Sequence, residues 1–340
     1  MTDINNNLGP GKPDIWSSED LSAKDLVGID RDIFPSWDTH PLYGQFGRRL
    51  NRELDAETLQ FTPKPFAIMY KDEPQIFGFC TTGGETLSSF GLPLNLAPRP
   101  DMGKKREKKV FAEAFKYLAQ LGHDTGASTA QILGGTNEGP LGAIDLACLN
   151  HAGSLTSQVN AIVDVTLGEV EIRKNLRDSY RSLINWGSRQ LQMRYVNGTN
   201  TDRSLFDLYP EFHAKTAGGS VRGENYWNVF WEEIKNGKAE LSLGFLEDGS
   251  LVSGTIITDA GKTSYYTSGV YDRTKFEKPL GHYPVFDAMI RSGERGMKLF
   301  DLGQIFSNDS DVSEKEQQIG FFKKGFTSHF QIRFVWTVNL

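Results

Sequence analysis

Two cysteines, Cys80 and Cys148, are all that the 340 residues contain, and they form no Cys-x-x-Cys pair. That scarcity argues against a disulfide-stapled secreted scaffold and fits a reducing interior. The six histidines are scattered, without His-Glu-x-x-His or any Cys/His spacing, so no metal is expected. No apolar run approaches the roughly 18 residues needed to cross a bilayer. Residues 1–30 are polar, with a Gly/Pro cluster from Gly9 to Pro13, and lack the basic and apolar regions of a signal peptide. A cytoplasmic location is therefore expected, which makes the Asn-x-Ser/Thr sites at Asn197 and Asn308 chance matches. Positive charge is also short. The formal net charge is -6, so the chain as a whole is no electrostatic trap for nucleic acid.

What is present is globular. Hydrophobic residues make up 38% and charged residues 24%, enough apolar matter for packed cores, and the length suits two domains. Periodicity gives one order of elements twice, about 175 residues apart. The first pass has short runs at Pro65–Tyr70, Gln75–Cys80 and Thr86–Phe90, bounded by turns as meander strands are. A Pro-rich loop, Leu94–Met102, leads to a helix over 104–121, where Val110, Phe111, Phe115 and Leu118 share a face and Gly122 serves as the closing residue. A strand at 129–133, a helix at 141–149 and a strand at 159–165 follow. The second pass has strands at 239–246, 251–258 and 263–271, with a hairpin turn at Glu247-Asp248-Gly249. A loop with Lys275 and Lys278 feeds a helix carrying Pro284 in its first turn and ended by Gly296. A strand at 298–302, a helix at 314–324 and a strand at 331–337 complete it.

Between the passes, 167–191 reads as one long helix, with Thr166 and Glu169 matching a capping box. Two more helices, at 200–217 and 224–235, are separated by Gly218-Gly219. The expected division is an N-terminal arm (1–30), a first α/β unit (31–166), a helical insert (167–238) and a second unit (239–340).

Meander, helix, strand, helix, strand resembles the GNAT acyltransferase fold. The fold class that this resemblance implies is α/β (α+β): two tandem GNAT-like domains, each a mixed, largely antiparallel sheet flanked by helices. The pattern alone also admits a generic α/β protein whose elements line up. The letters add to it. Leu280-Gly281-His282-Tyr283-Pro284, the stretch from Gly296 through Asp301-Leu302-Gly303, and Phe322-Lys323-Lys324-Gly325-Phe326 resemble the end of FemAB-like acyltransferases. Val163–Val165 and Lys174–Ser182 look like that family's inter-domain helix. Two departures are visible: the tryptophan common in the helix after the proline is absent, and an element usually written with two glycines reads Leu302-Gly303-Gln304. Both bear on the peptidoglycan substrate more than on the chemistry.

The resemblance implies transfer of an aminoacyl group from aminoacyl-tRNA, or of an acyl group from acyl-CoA, to an amine. Such chemistry needs an aimed free amine, a stabilised oxyanion and a neutralised leaving group. In GNAT folds a backbone amide at a splayed strand serves the carbonyl, and a glycine loop at a helix N-terminus holds the pyrophosphate. Here that loop keeps one glycine per copy, as Arg99–Lys104 and as Lys278–Tyr283.

By resemblance Lys323 is the fixed cation beside the donor, while read alone it is a solvated lysine near a helix end. Asp301 is a base or orienting group, or a hydrogen-bonded structural carboxylate. Tyr266 is a proton donor for the leaving group, or a strand-packing aromatic. Arg222 matches the position that holds an acceptor's phosphates, or is a surface cation. Phe322, Gly281, His282 and Tyr283 line the donor side in this reading; packing explains Phe322 and His282 as well. The basic run Lys104–Lys109 and the aromatics Tyr226, Trp227, Phe230 and Trp231 read first as a wet face and a packing face.

The function so implied is N-acyl transfer to a small-molecule or lipid-linked glycan precursor of the cell envelope, with tRNA a potential partner. Two alternatives stand beside it: O-acylation of a sugar hydroxyl, and a non-catalytic GNAT pair binding a nucleotide sugar or a partner protein.

Overall fold

The computed structural model describes residues 20–26, 44–56, 60–217, 222–305 and 312–340. The Gly9–Pro13 cluster, Gly218-Gly219 and Asn308 lie outside them. In chain order the elements are β1 (Leu21–Asp25), α1 (Gln45–Asp55), β2 (Thr62–Tyr70), β3 (Glu73–Thr82), β4 (Thr86–Leu87), β5 (Leu96–Pro98), α2 (Lys104–Thr125), β6 (Thr129–Thr136), α3 (Ala143–Leu149) and β7 (Ala152–Asp164). Then come α4 (Gly168–Lys174), α5 (Asp178–Gln190), β8 (Gln192–Val196), α6 (Arg203–Ala217), α7 (Glu224–Lys235), β9 (Ala239–Phe245), β10 (Leu251–Ala260), β11 (Thr263–Tyr271), α8 (His282–Glu294), β12 (Leu299–Gln304), α9 (Glu314–Lys324) and β13 (His329–Asn339). Among the described residues no helix is long and apolar enough to cross a membrane.

The strands form two sheets. One is four-stranded, β1-β2-β3-β5, and the other nine-stranded, β4-β6-β13-β7-β12-β11-β10-β9-β8. Each half follows the expected order, but the last strands are exchanged. β7, from the first half, pairs with β12 of the second, while β13, from the end of the chain, pairs with β6 of the first. β7 and β13 then pair with each other over ten register positions, His329↔Ile162 to Val338↔Ala152. A single ladder thus runs through both halves.

The cores follow from this exchange. Val110, Phe111, Ala114, Phe115 and Leu118 of α2 pack on Phe66, Ile68 and Ile76, joined by Trp336 and Val338 from β13. In the second half Ile172, Tyr180 and Ile184 of α4 and α5 pack with Val285, Phe286 and Met289 of α8 over Phe300 and Leu302. Phe206, Tyr209, Trp227 and Phe230 of α6 and α7 cover Leu241 and Leu243. Burial of such side chains stabilises by about 1.5–3 kcal/mol each.

Several expectations are corrected. The strand expected at 86–90 meets the first meander at an antiparallel bridge, Thr81↔Ser88, and does not extend it as a ladder. Its Thr86–Leu87 portion pairs in parallel with β6, and β3 takes β5 as neighbour instead. The long helix over 167–191 is two helices, parted between Lys174 and Asp178, and the Thr166 amide is capped by Asp164 Oδ1 at 2.9 Å. Helix α2 runs past Gly122 to Gly126, which adopts the left-handed φ of 78°. Gly122 is present for a different reason: a Cβ there would stand 2.7 Å from Leu340 and 2.8 Å from the Ala127 carbonyl. Within the segment read as a polar arm, β1 pairs along β2 and buries Leu21. Strand β8 and helix α1 were not expected.

Candidate active site

β11 and β12 run in parallel over only three register positions, Thr263↔Leu299 to Tyr265↔Asp301. Beyond Tyr265, β11 keeps β10 on one side and has no ladder partner from β12 on the other. Residues 266–271 of that freed stretch line a cleft of about 920 Å³. A register shift against β10 leaves Thr267 unmatched between Tyr266 and Ser268, a bulge that bends the strand at this point. β12 turns away at Gly303, whose φ of 82° suits glycine, and the Asp301 carboxylate accepts the Gly303 amide at 2.7 Å.

The opposite wall is α9. Ser313 and Glu316 form a reciprocal capping box at its start, Glu316 accepting the Ser313 amide at 2.9 Å. From there Lys315, Gln318, Ile319 and Phe322 fall at i, i+3, i+4 and i+7 and all face the cleft. Lys323 follows them. Its Nζ donates to the Gln304 carbonyl at 3.0 Å and stands 3.1 Å from where a Cβ on Gly303 would be. Partial removal from water pushes Lys323 down to about 8, with the Asp301 charge opposing.

The end wall is the N-terminus of α8, held at its far end by Arg291 and Arg295, which both pair with the buried Glu240 of β9. Gly281 caps the helix, and a side chain there would meet the Tyr271 ring at 2.9–3.1 Å. Tyr271 and Tyr266 share a hydroxyl–hydroxyl bond of 2.8 Å at the cleft. Burial raises both phenols, Tyr266 far above its usual value, so both hydroxyls keep their protons near pH 7. His282 lies against Tyr180 at 4.5 Å and Phe322 at 5.2 Å; burial pushes it down to about 4, with the nearby Pro279 carbonyl opposing. His213 is likewise lowered, by burial and by Arg222. Both imidazoles are therefore neutral near pH 7. Charge in the cleft is otherwise cationic: Arg273, Lys278 and Lys315 line it with Lys323, against Glu277.

We expect Gly281→Ala to displace Tyr271 and part the Tyr266–Tyr271 bond. The overpacking should destabilise by about 1–3 kcal/mol, read as a lowered urea midpoint.

Lys323, Tyr266, Phe322, Gly281 and His282 thus meet in one cleft. Asp301 lies just behind it, 4% exposed, accepting from Asn160 at 3.0 and 3.2 Å. Two expected contributors do not line the cleft. Tyr283 packs on Gly187 of α5, where a Cβ would collide with it, because its place in the first turn of α8 faces that helix. Arg222 lies over the Tyr226 ring at 5.4 Å, and its charge acts on His213, which does line the cleft. Sequence reasoning missed Lys315, Gln318 and Ile319, although their helical spacing from Phe322 was readable. It also missed Asn160, for which no local signal exists.

No protein-family model matches the sequence, and no curated protein matches it. Solved structures do. FemX is similar at 13% identity and a TM-score of 0.63, over 88% of this chain and 93% of that one. A conserved protein of unknown function from Bacteroides thetaiotaomicron is similar at 10% identity and 0.58, over 93% and 99%. L-PGS from Bacillus licheniformis is similar at 13% identity and 0.53, over 78% and 81%. With the doubled order of meander, helix, strand, helix and strand, these likenesses give the chain a FemAB-like fold of two tandem GNAT-type units.

Proposed function

We propose that the chain is an acyltransferase that moves an acyl or aminoacyl group directly to an amine of a cell-envelope glycan precursor, an amino sugar or a peptidoglycan-type acceptor. The observation that carries this reading is the Lys323 ammonium, half-desolvated in a cleft beside the freed edge of β11. A carbonyl laid along that edge meets backbone donors and a fixed cation, which together oppose the charge that develops on its oxygen. The amine attacks as its free base, the C–N bond forms, and the bond to the thiolate or ribose oxygen breaks. A phenol of the Tyr266–Tyr271 pair supplies the leaving group's proton, and the proton shed by the new amide nitrogen returns to solvent or to that pair.

Arg273, Lys278 and Lys315 fit a donor bearing phosphates, whether acyl-CoA or aminoacyl-tRNA. Gly281, His282 and Phe322 shape the donor wall, Asp301 sets the Lys323 charge, and Arg222 acts on the acceptor side through His213. The acceptor is a small-molecule or lipid-linked glycan. The buried thiols Cys80 and Cys148, each pushed up to about 12 by burial, are unreactive and fit a cytoplasmic location.

Purified chain incubated with an amino-sugar acceptor and either acyl-CoA or aminoacyl-tRNA should consume one donor, followed as thiol release or tRNA deacylation. Mass spectrometry of the product should show an alkali-stable amide. Consumption of neither donor by a folded, ligand-binding chain would refute the reading. The pH profile is a second check. Lys323 has a lowered pKa, so its cation is fully present below about 8 and lost above it, and kcat should fall as pH rises through that value.

A further inference from the structure

We propose that Asn160, contributed by the first half of the chain, is a positioning residue for the Lys323 site, holding the carboxylate of Asp301 beside the Gly303–Gln304 segment on which the Lys323 ammonium rests. The proposal rests on the reading of Lys323 given above and deepens it.

Asn160 reaches this place through the strand exchange. On β7 it stands between Gln331 of β13 and Gln304 of β12, the residue whose carbonyl accepts from Lys323 Nζ. Its Nδ2 donates to both oxygens of Asp301, at 3.2 and 3.0 Å, and the Gly303 amide adds a third bond at 2.7 Å. A carboxylate that is 4% exposed stays ionised only when donors replace its lost water. The groups that face Asp301 are Tyr265 from β11, Arg333 from β13 and Lys323 from α9. Tyr265 is pushed up to about 12 and carries no charge. Burial raises Asp301, and Asn160 is the first of the groups that oppose this, ahead of Gly303, Arg333 and Lys323. In the other direction, the Asp301 charge opposes the desolvation that lowers Lys323. The sequence is therefore Asn160 to Asp301 to Lys323. Without the amide, Asp301 takes up a proton at higher pH, and the ammonium loses the nearby negative charge that favours it.

The test uses the full chain, with Asn160→Leu and Asn160→Ser. Lys323 is labelled with acetic anhydride across pH, and its modification is followed by peptide mass spectrometry. In both variants the labelling midpoint should move down by about one pH unit, a gain in free amine that approaches tenfold well below the midpoint. The alkaline limb of kcat should move with it. A residue that only braces the fold would lower the urea midpoint and leave the labelling profile where it was; that result, in whichever variant folds, overturns the proposal. The serine variant keeps a small polar side chain in the strand and secures a folded protein for the measurement. Full transfer by Lys323→Ala would instead remove the functional reading, and the labelling result would stand apart from it.

Discussion

Lys323→Ala should lower kcat of acyl transfer by about 10²–10³-fold, as loss of a preorganised donor to a developing oxyanion does. KM should change little, because the interaction grows with the charge on the carbonyl and is weak in the ground state. The urea midpoint should hold, since among the described residues the ammonium makes one bond, to the Gln304 carbonyl, and its removal also takes away a partly desolvated charge. Lys323→Arg is the sharper variant. Its planar fork cannot take the place of a point charge set 3.1 Å from the Gly303 Cβ position, so charge alone should not rescue transfer. Unimpaired kcat in Lys323→Ala, measured on folded protein with either donor, would take this residue out of the mechanism.

Removal of β13 should have the largest effect on stability. Truncation before His329 strips β6 and β7 of their shared partner at once and takes Trp336 and Val338, 3% and 0% exposed, out of the first core. Several such losses exceed the roughly 5–15 kcal/mol by which a domain is stable. No cooperative transition should remain in circular dichroism, in the first half as in the second. A fragment of residues 1–166 should fail in the same way. The single change Trp336→Ala is milder, costing about 3–5 kcal/mol, and it also deprives the buried Asp145 of the indole donor it accepts at 2.8 Å. A 1–166 fragment that melts cooperatively would contradict the account.

Much of this was readable from residues. The order of strands and helices was legible because apolar period and turn chemistry agree within each segment: α7 begins and ends where its aromatics predict, and Gly249 and Gly296 take the left-handed turns expected of them. Partnership was not legible. A strand's pattern reports how buried it is, not which neighbour it pairs with, so β7 and β13 gave no sign of changing places. Gly122 and Gly126 show the same limit at one helix end, since a close approach and a positive φ both call for glycine. For the site, the spacing on α9 and the Phe322-Lys323 pair carried information. Asn160 carried none, because its role depends on Asp301, which is brought to it only by that pairing.

The exchanged strands also impose an order in time. On a ribosome β6 emerges well before the strand that satisfies its edge, because everything between Thr136 and His329 must come first. Until then an apolar ladder with open amides stands ready to pair with whatever is near. Productive folding of the early half thus waits for β13 to be made, and the edge of β6 stays open over the whole interval between them.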